Sequence, residues 1–158
     1  MDFPSYEKCK RSPVLDDSEF GIKVDAYSDE SPTQFTQSQS WLLCGTYHFD
    51  RPTIELFGKD LHHQMLVALT HRESGAAYWG RLTRQGPESI RPNEIFDPGK
   101  LKAIRSYFNI DLKSHCQPRA ELGTYWVRFQ LGGIISNILK FEVYDPMAIA
   151  DAAPTILT

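Results

Sequence analysis

The side chains able to do chemistry are five histidines (His48, His62, His63, His71 and His115) and three cysteines (Cys9, Cys44 and Cys116). Imidazole nitrogen and thiolate sulfur are the usual ligands of zinc, and zinc sites space them as short-range pairs. This chain spaces them otherwise. His62 and His63 are adjacent, as are His115 and Cys116. On a strand, adjacent side chains point to opposite faces. Neither HxH nor HExxH occurs. Ligands gathered from separate loops would escape this argument, so the sequence leaves open whether His62, His63, His115 or Cys116 join a metal site.

Nucleophilic chemistry finds no better support. No GxSxG elbow is present. Cys44 lies in the apolar run WLLCGTYHF, where a thiol is expected to be inert packing. Cys116 lies in the polar run Ser114-His115-Cys116-Gln117 and is expected to be an exposed bystander. The acidic pairs Asp16-Asp17, Asp29-Glu30 and Glu94 with Asp97 fall in turn-forming stretches, which suits solvated carboxylates better than acid–base catalysts. Gly132-Gly133 lacks the following helix, lysine and serine of a phosphate loop. The residues point away from catalysis and from any cofactor.

The element that must organise this chain is Glu121 to Tyr144, ELGTYWVRFQLGGIISNILKFEVY. Tyr125, Val127, Phe129 and Leu131 alternate with Thr124, Trp126, Arg128 and Gln130. That is the period of a strand with one apolar face. Leu139, Phe141 and Val143 repeat the pattern beyond the glycines. A two-residue turn at Gly132-Gly133 would pair Tyr125 with Lys140 and drive Lys140 and Glu142 inward. A loop of three or five residues is therefore expected, with Val127 opposite Leu139 or Phe141. Ile134, and with the longer loop Ile135, would then stand at the tip.

The entry Leu122-Gly123-Thr124-Tyr125 resembles the tyrosine corner of immunoglobulin-like sandwiches, in which a tyrosine hydroxyl bonds back to upstream backbone. The resemblance is to a fold and covers about twenty residues. The antibody pattern implies a cysteine two residues later, where this chain has Val127.

Further strands are expected at 20–26, with Phe20, Ile22, Val24 and Ala26 inward, and at 41–49, with Trp41, Leu43, Tyr47 and Phe49 inward. Met65–Thr70 reads as a central strand in a hairpin with Tyr78–Leu82, and one of Tyr78 and Trp79 is expected to be buried. Phe108, Ile110 and Leu112 mark another strand. A short strand is expected at Ile54–Phe57 and an edge strand near Ile95-Phe96; Lys100–Ser106 reads as a helical turn or a strand start. Residues 28–40 read as a long exposed loop. The sum is an all-β, antiparallel two-sheet sandwich of seven to eight strands, with a loose, flexible N-terminal arm over 1–18, a domain over 19–145 and a tail over 146–158.

The chain has 158 residues and a net charge of −3 with no basic stripe, which argues against nucleic acid. No apolar run is long enough to cross a membrane, and the N-terminus has no apolar signal core. With an odd number of cysteines and no CxxC, the expected setting is the cytoplasm. The expected function is a non-catalytic protein-binding module, of the accessory or inhibitor type. Its binding residues would be Trp126, Arg128 and Tyr144 on the outer face of the hairpin, with Ile134 and Ile135 at its tip. Two other functions compete: self-assembly through an open sheet edge, and a metal site or small enzyme built on the His and Cys residues.

Overall fold

A computed structural model describes residues 3–29, 33–58, 61–83 and 102–151. The chain folds as an all-β sandwich of two sheets. The smaller sheet has the order β1 (Gly21–Ala26), β3 (Leu42–Asp50), β6 (Ala103–Asp111) and is antiparallel throughout. The larger runs β2 (Gln34–Thr36), β9 (Leu139–Tyr144), β7 (Gly123–Leu131), β4 (Leu66–His71), β5 (Ala77–Arg81), with β8 (Ile134–Ile135) also paired to β7. One pair, β2 with β9, is parallel. The edge strand proposed near Ile95-Phe96 lies outside the described residues.

The inner faces follow the alternation of the sequence. Leu43, Tyr47 and Phe49 of β3 meet Tyr125, Val127, Phe129 and Leu131 of β7, all 2% exposed or less. Trp41, just before β3, is fully buried between Tyr125 (centroids 5.1 Å apart) and Phe141 (5.6 Å). Aromatic pairs at such spacing contribute about 0.5–1.5 kcal/mol each beyond their area. Gly45 is needed for this packing, because a Cβ there would run into the Phe108 ring.

The closing hairpin resolves its register conflict in an unexpected way. The tight turn does form: Leu131 pairs with Ile134 and Gln130 with Ile135. Only Gly132 of the two glycines has a positive φ, 57°, as the first central position of a type II′ turn requires. Ile134 therefore lies in a strand rather than at a tip. Residues 136–138 then stand opposite Arg128 and Phe129 alone, a β-bulge that shifts the register by one. Val127 falls opposite Leu139 and Tyr125 opposite Phe141, so Lys140 and Glu142 point outward. Ser136 fixes the bulge: its N–H donates to the Phe129 carbonyl (2.9 Å), and its Oγ accepts from the Phe129 N–H (2.8 Å). Asn137 ties the bulge to the other sheet through both backbone groups of Val24 (2.8 and 3.0 Å).

Several local expectations are corrected. The segment Ile54–Phe57 is the body of a helix, α1 (Arg51–Phe57), because Asp50 caps it by accepting from the Thr53 N–H and Pro52 sits at its first turn. The loop over 28–40 contains β2, whose Phe35 packs on Phe141. A second short helix, α2, spans Leu61–Gln64. Residues Leu112–Cys116 form a third, α3, so His115 and Cys116 are buried rather than in a solvated turn. Pro146–Asp151 forms a fourth, α4. Phe20 precedes β1, is 53% exposed, and stacks on His48 instead of entering the core.

The N-terminal segment, expected to be a loose arm, lies across the outer face of the smaller sheet. Ser5 exchanges two backbone hydrogen bonds with Asn109 on the free edge of β6 (3.0 and 2.7 Å). The Arg11 guanidinium donates to Asp25 (2.9 Å), Thr46 Oγ1 donates to the Pro13 carbonyl (2.6 Å), and Leu15 is buried.

Tyr125 donates its hydroxyl to the Glu121 carbonyl at 2.8 Å, and burial pushes its pKa up to about 12. Tyr125→Phe removes that donor and keeps the ring. We expect a loss of about 1–3 kcal/mol in denaturant unfolding with no change of secondary structure. A midpoint equal to wild type would show that the corner hydrogen bond carries no stability.

Candidate functional site

The outer face of the larger sheet is built by the residues that alternate with the core. The registers place Trp126 between Lys140 on β9 and Thr70 on β4, with Ala77 of β5 beyond Thr70. The next row holds Arg128, Ala68 and Trp79. Gln130, Leu66 and Arg81 follow. Two tryptophans thus lie diagonally across β4, whose outward side chains between them, Ala68 and Thr70, are small. Trp126 is 42% exposed and Trp79 55%. The inner neighbour of Trp126, Val127, is 1% exposed, which fixes its outward direction.

The charges on this face are mainly positive. Among the described residues on the strands of this face, Arg81, Arg128 and Lys140 stand against one carboxylate, Glu142, which accepts from the Thr124 hydroxyl at 2.6 Å. The chain as a whole carries −3. A flat aromatic and small-residue centre with a cationic rim can bury apolar surface and pair with carboxylates.

The structure distributes the expected site residues unevenly. Trp126 and Arg128 share the centre of the face. Tyr144 shares its parity but lies at the β2 end, opposite Thr36. Ile135 is on the outer side, opposite Gln130, and is 52% exposed. Ile134 is opposite the buried Leu131 and packs on the core. Trp79 was expected to compete with Tyr78 for a buried place. It is outward, and Tyr78 packs half-buried against the core. Its signal in the sequence was the alternation Ala77, Trp79, Arg81 on a strand following a Gly75 turn.

The histidines are held by hydrogen bonds within the fold. Among the described residues no three His, Cys, Asp or Glu side chains converge to hold a metal. His63 Nδ1 lies 3.3 Å from the Thr83 carbonyl, and His115 Nε2 lies 3.1 Å from that of Leu82. His71 is buried with polar partners on both ring nitrogens. Its Nδ1 faces both Ser74 Oγ (2.7 Å) and Glu121 (3.0 Å), while Nε2 donates to the Leu122 carbonyl (2.8 Å) and faces Glu73 (3.3 Å). Both ring nitrogens are held by partners from the 72–75 turn and from the approach to β7. The imidazole pins the 72–75 turn to the entry of β7.

Comparison with protein-family models, with curated proteins and with solved structures finds no match to this chain.

His62 is the histidine with a clear pH consequence. It stacks on Tyr6 (4.5 Å), its Nε2 lies 2.6 Å from the Tyr47 hydroxyl, and its Nδ1 is buried with no partner. Burial lowers its pKa from 6.5 to about 4. The unfolded chain therefore binds the proton more readily, and stability is lost as pH falls from 6.5 towards 4. The loss by pH 4 is about 3 kcal/mol. Unfolding measured across that window should show this slope in wild type and lose it in His62→Gln. An unchanged slope in His62→Gln would assign the pH dependence to other groups.

Proposed function

We propose that this chain is a non-catalytic protein-binding module on an immunoglobulin-like frame, working through the outer face of its larger sheet. The observation that carries this reading is the unequal treatment of the two outer faces. The smaller sheet is crossed by the chain's own N-terminal segment, whereas Trp79 and Trp126 on the larger sheet remain exposed. Trp and Arg are the types most enriched at binding hot spots. A partner suited to this face is a protein with an apolar groove rimmed by carboxylates, by charge complementarity with Arg81, Arg128 and Lys140.

The frame is supported by the strand order. In an immunoglobulin-like sandwich, β1, β3 and β6 would be strands A, B and E, and β9, β7, β4 and β5 would be G, F, C and C′. The Tyr125 hydroxyl reaching back four residues suits the tyrosine corner of strand F. Cys9, Cys44 and Cys116 are free thiols, which suits a reducing, cytoplasmic setting.

The test is capture of a partner from the native source by wild type and by Trp79→Ala, Trp126→Ala and, as control on the other sheet, Arg105→Ala. We expect each tryptophan variant to fold normally and to weaken binding by about 2 kcal/mol, near thirtyfold, with the control unaffected. Wild-type affinity in both tryptophan variants would overturn the proposal. A homodimer of the purified chain that Trp126→Ala dissociates would replace it with self-assembly.

A further inference from the structure

We propose that Cys9 and Cys44 form a modification site, a thiol pair that reacts with a peroxide and closes to a disulfide clasping the N-terminal segment to the smaller sheet. The argument begins with the surroundings of Cys44. On the outer face of its sheet it lies between Asp25 of β1 and Asn109 of β6. Both neighbours hold the N-terminal segment on either side of Cys9. Asn109 Nδ2 donates to the Glu7 carbonyl (2.8 Å), and Asp25 accepts from Arg11 (2.9 Å). Further along β3, Thr46 holds the Pro13 carbonyl. The segment is thus fixed at residues 7, 11 and 13, and Cys9 is delivered over Cys44. The Cys9 thiol adds to burial in holding the Cys44 pKa up, as a close neighbour does.

The two sulfurs differ in a way that orders the reaction. Cys9 is partly exposed, and its sulfur accepts from the Ser12 hydroxyl at 3.4 Å. Cys44 is fully buried, its thiol is directed at the carbonyls of Ala26 (3.4 Å) and Asp25 (3.7 Å), and burial pushes its pKa up. Cys9 is therefore the sulfur that meets the oxidant. With hydrogen peroxide, Cys9 sulfur attacks one oxygen, the O–O bond breaks, and a sulfenic acid and one water form. Cys44 sulfur then attacks the sulfenic sulfur. The S–S bond forms, the S–O bond breaks, and hydroxide leaves as a second water with the Cys44 proton. Two thiols lose two electrons and the peroxide gains them. The product closes a loop from residue 9 to residue 44 and holds the segment down.

The experiment treats the full chain with graded hydrogen peroxide, then alkylates, digests without reductant and maps peptides by mass spectrometry. We expect titratable thiols to fall from three to one, a linked Cys9–Cys44 peptide lighter by two hydrogens, and Cys116 unlinked. Dithiothreitol should reverse the link, and the oxidised chain should melt at a higher temperature than the reduced one. In Cys9→Ser, which alters a partly exposed site, Cys44 should stay a thiol at the same dose. In Cys44→Ala, Cys9 should be trapped by dimedone as the sulfenic acid. The proposal is overturned if wild type carries Cys9 to the sulfenic or sulfinic acid without the linked peptide, or links Cys9 only to another molecule. It is also overturned if Cys44 oxidises equally well in Cys9→Ser.

Discussion

The contact on which the rest of this structure depends is made by Tyr125. Its ring packs against Trp41 (5.1 Å), Phe141 (5.4 Å) and His71 (4.8 Å), joining both sheets and the turn before β5. Its hydroxyl closes the approach to β7 on the Glu121 carbonyl. A strand whose first core residue is fixed at both ends has no freedom of parity. Val127, Phe129 and Leu131 must follow Tyr125 inward, and Trp126 and Arg128 must face out. The face we assign to binding is thus a consequence of the core.

The two outer faces are then finished by different means. On the smaller sheet, polar outward residues such as Thr46, Asn109 and Asp25 find their partners in the N-terminal segment. Its free edges are also engaged, β6 by Ser5 and β1 by Asn137. On the larger sheet the outward side chains of β4 between the flanking tryptophans, Ala68 and Thr70, are small, so the two have no tall neighbour between them. A single exposed apolar residue is ordinary, but two tryptophans sharing one sheet face with a cationic rim form a patch.

Much of this was legible in the sequence, because β7 and β3 alternate cleanly and the core aromatics occupy the expected parity. The sequence pattern alone puts Trp126 outside, since only one parity buries Tyr125, Val127 and Phe129. The failures have specific causes. The Gly132-Gly133 turn was set aside because its register buries Lys140; the bulge at 136–138 reconciles the two, and a bulge leaves no mark in a period-two pattern. At Ile54–Phe57 the apolar residues outweighed the Asp50-Arg51-Pro52 start signal. β2 and the N-terminal segment are held by pairing and polar contacts with residues far along the chain, which local composition does not encode.

The central claim is that Trp79 and Trp126 meet a partner while the smaller sheet does not. Hydroxyl-radical footprinting of the isolated chain and of the complex recovered from its native source tests this most directly. Trp79 and Trp126 should react in the isolated chain, whereas Trp41, fully buried, should not. In the complex both exposed tryptophans should be protected, with Tyr107 on the smaller sheet unchanged. Equal reactivity of Trp79 and Trp126 in the two samples would contradict the account.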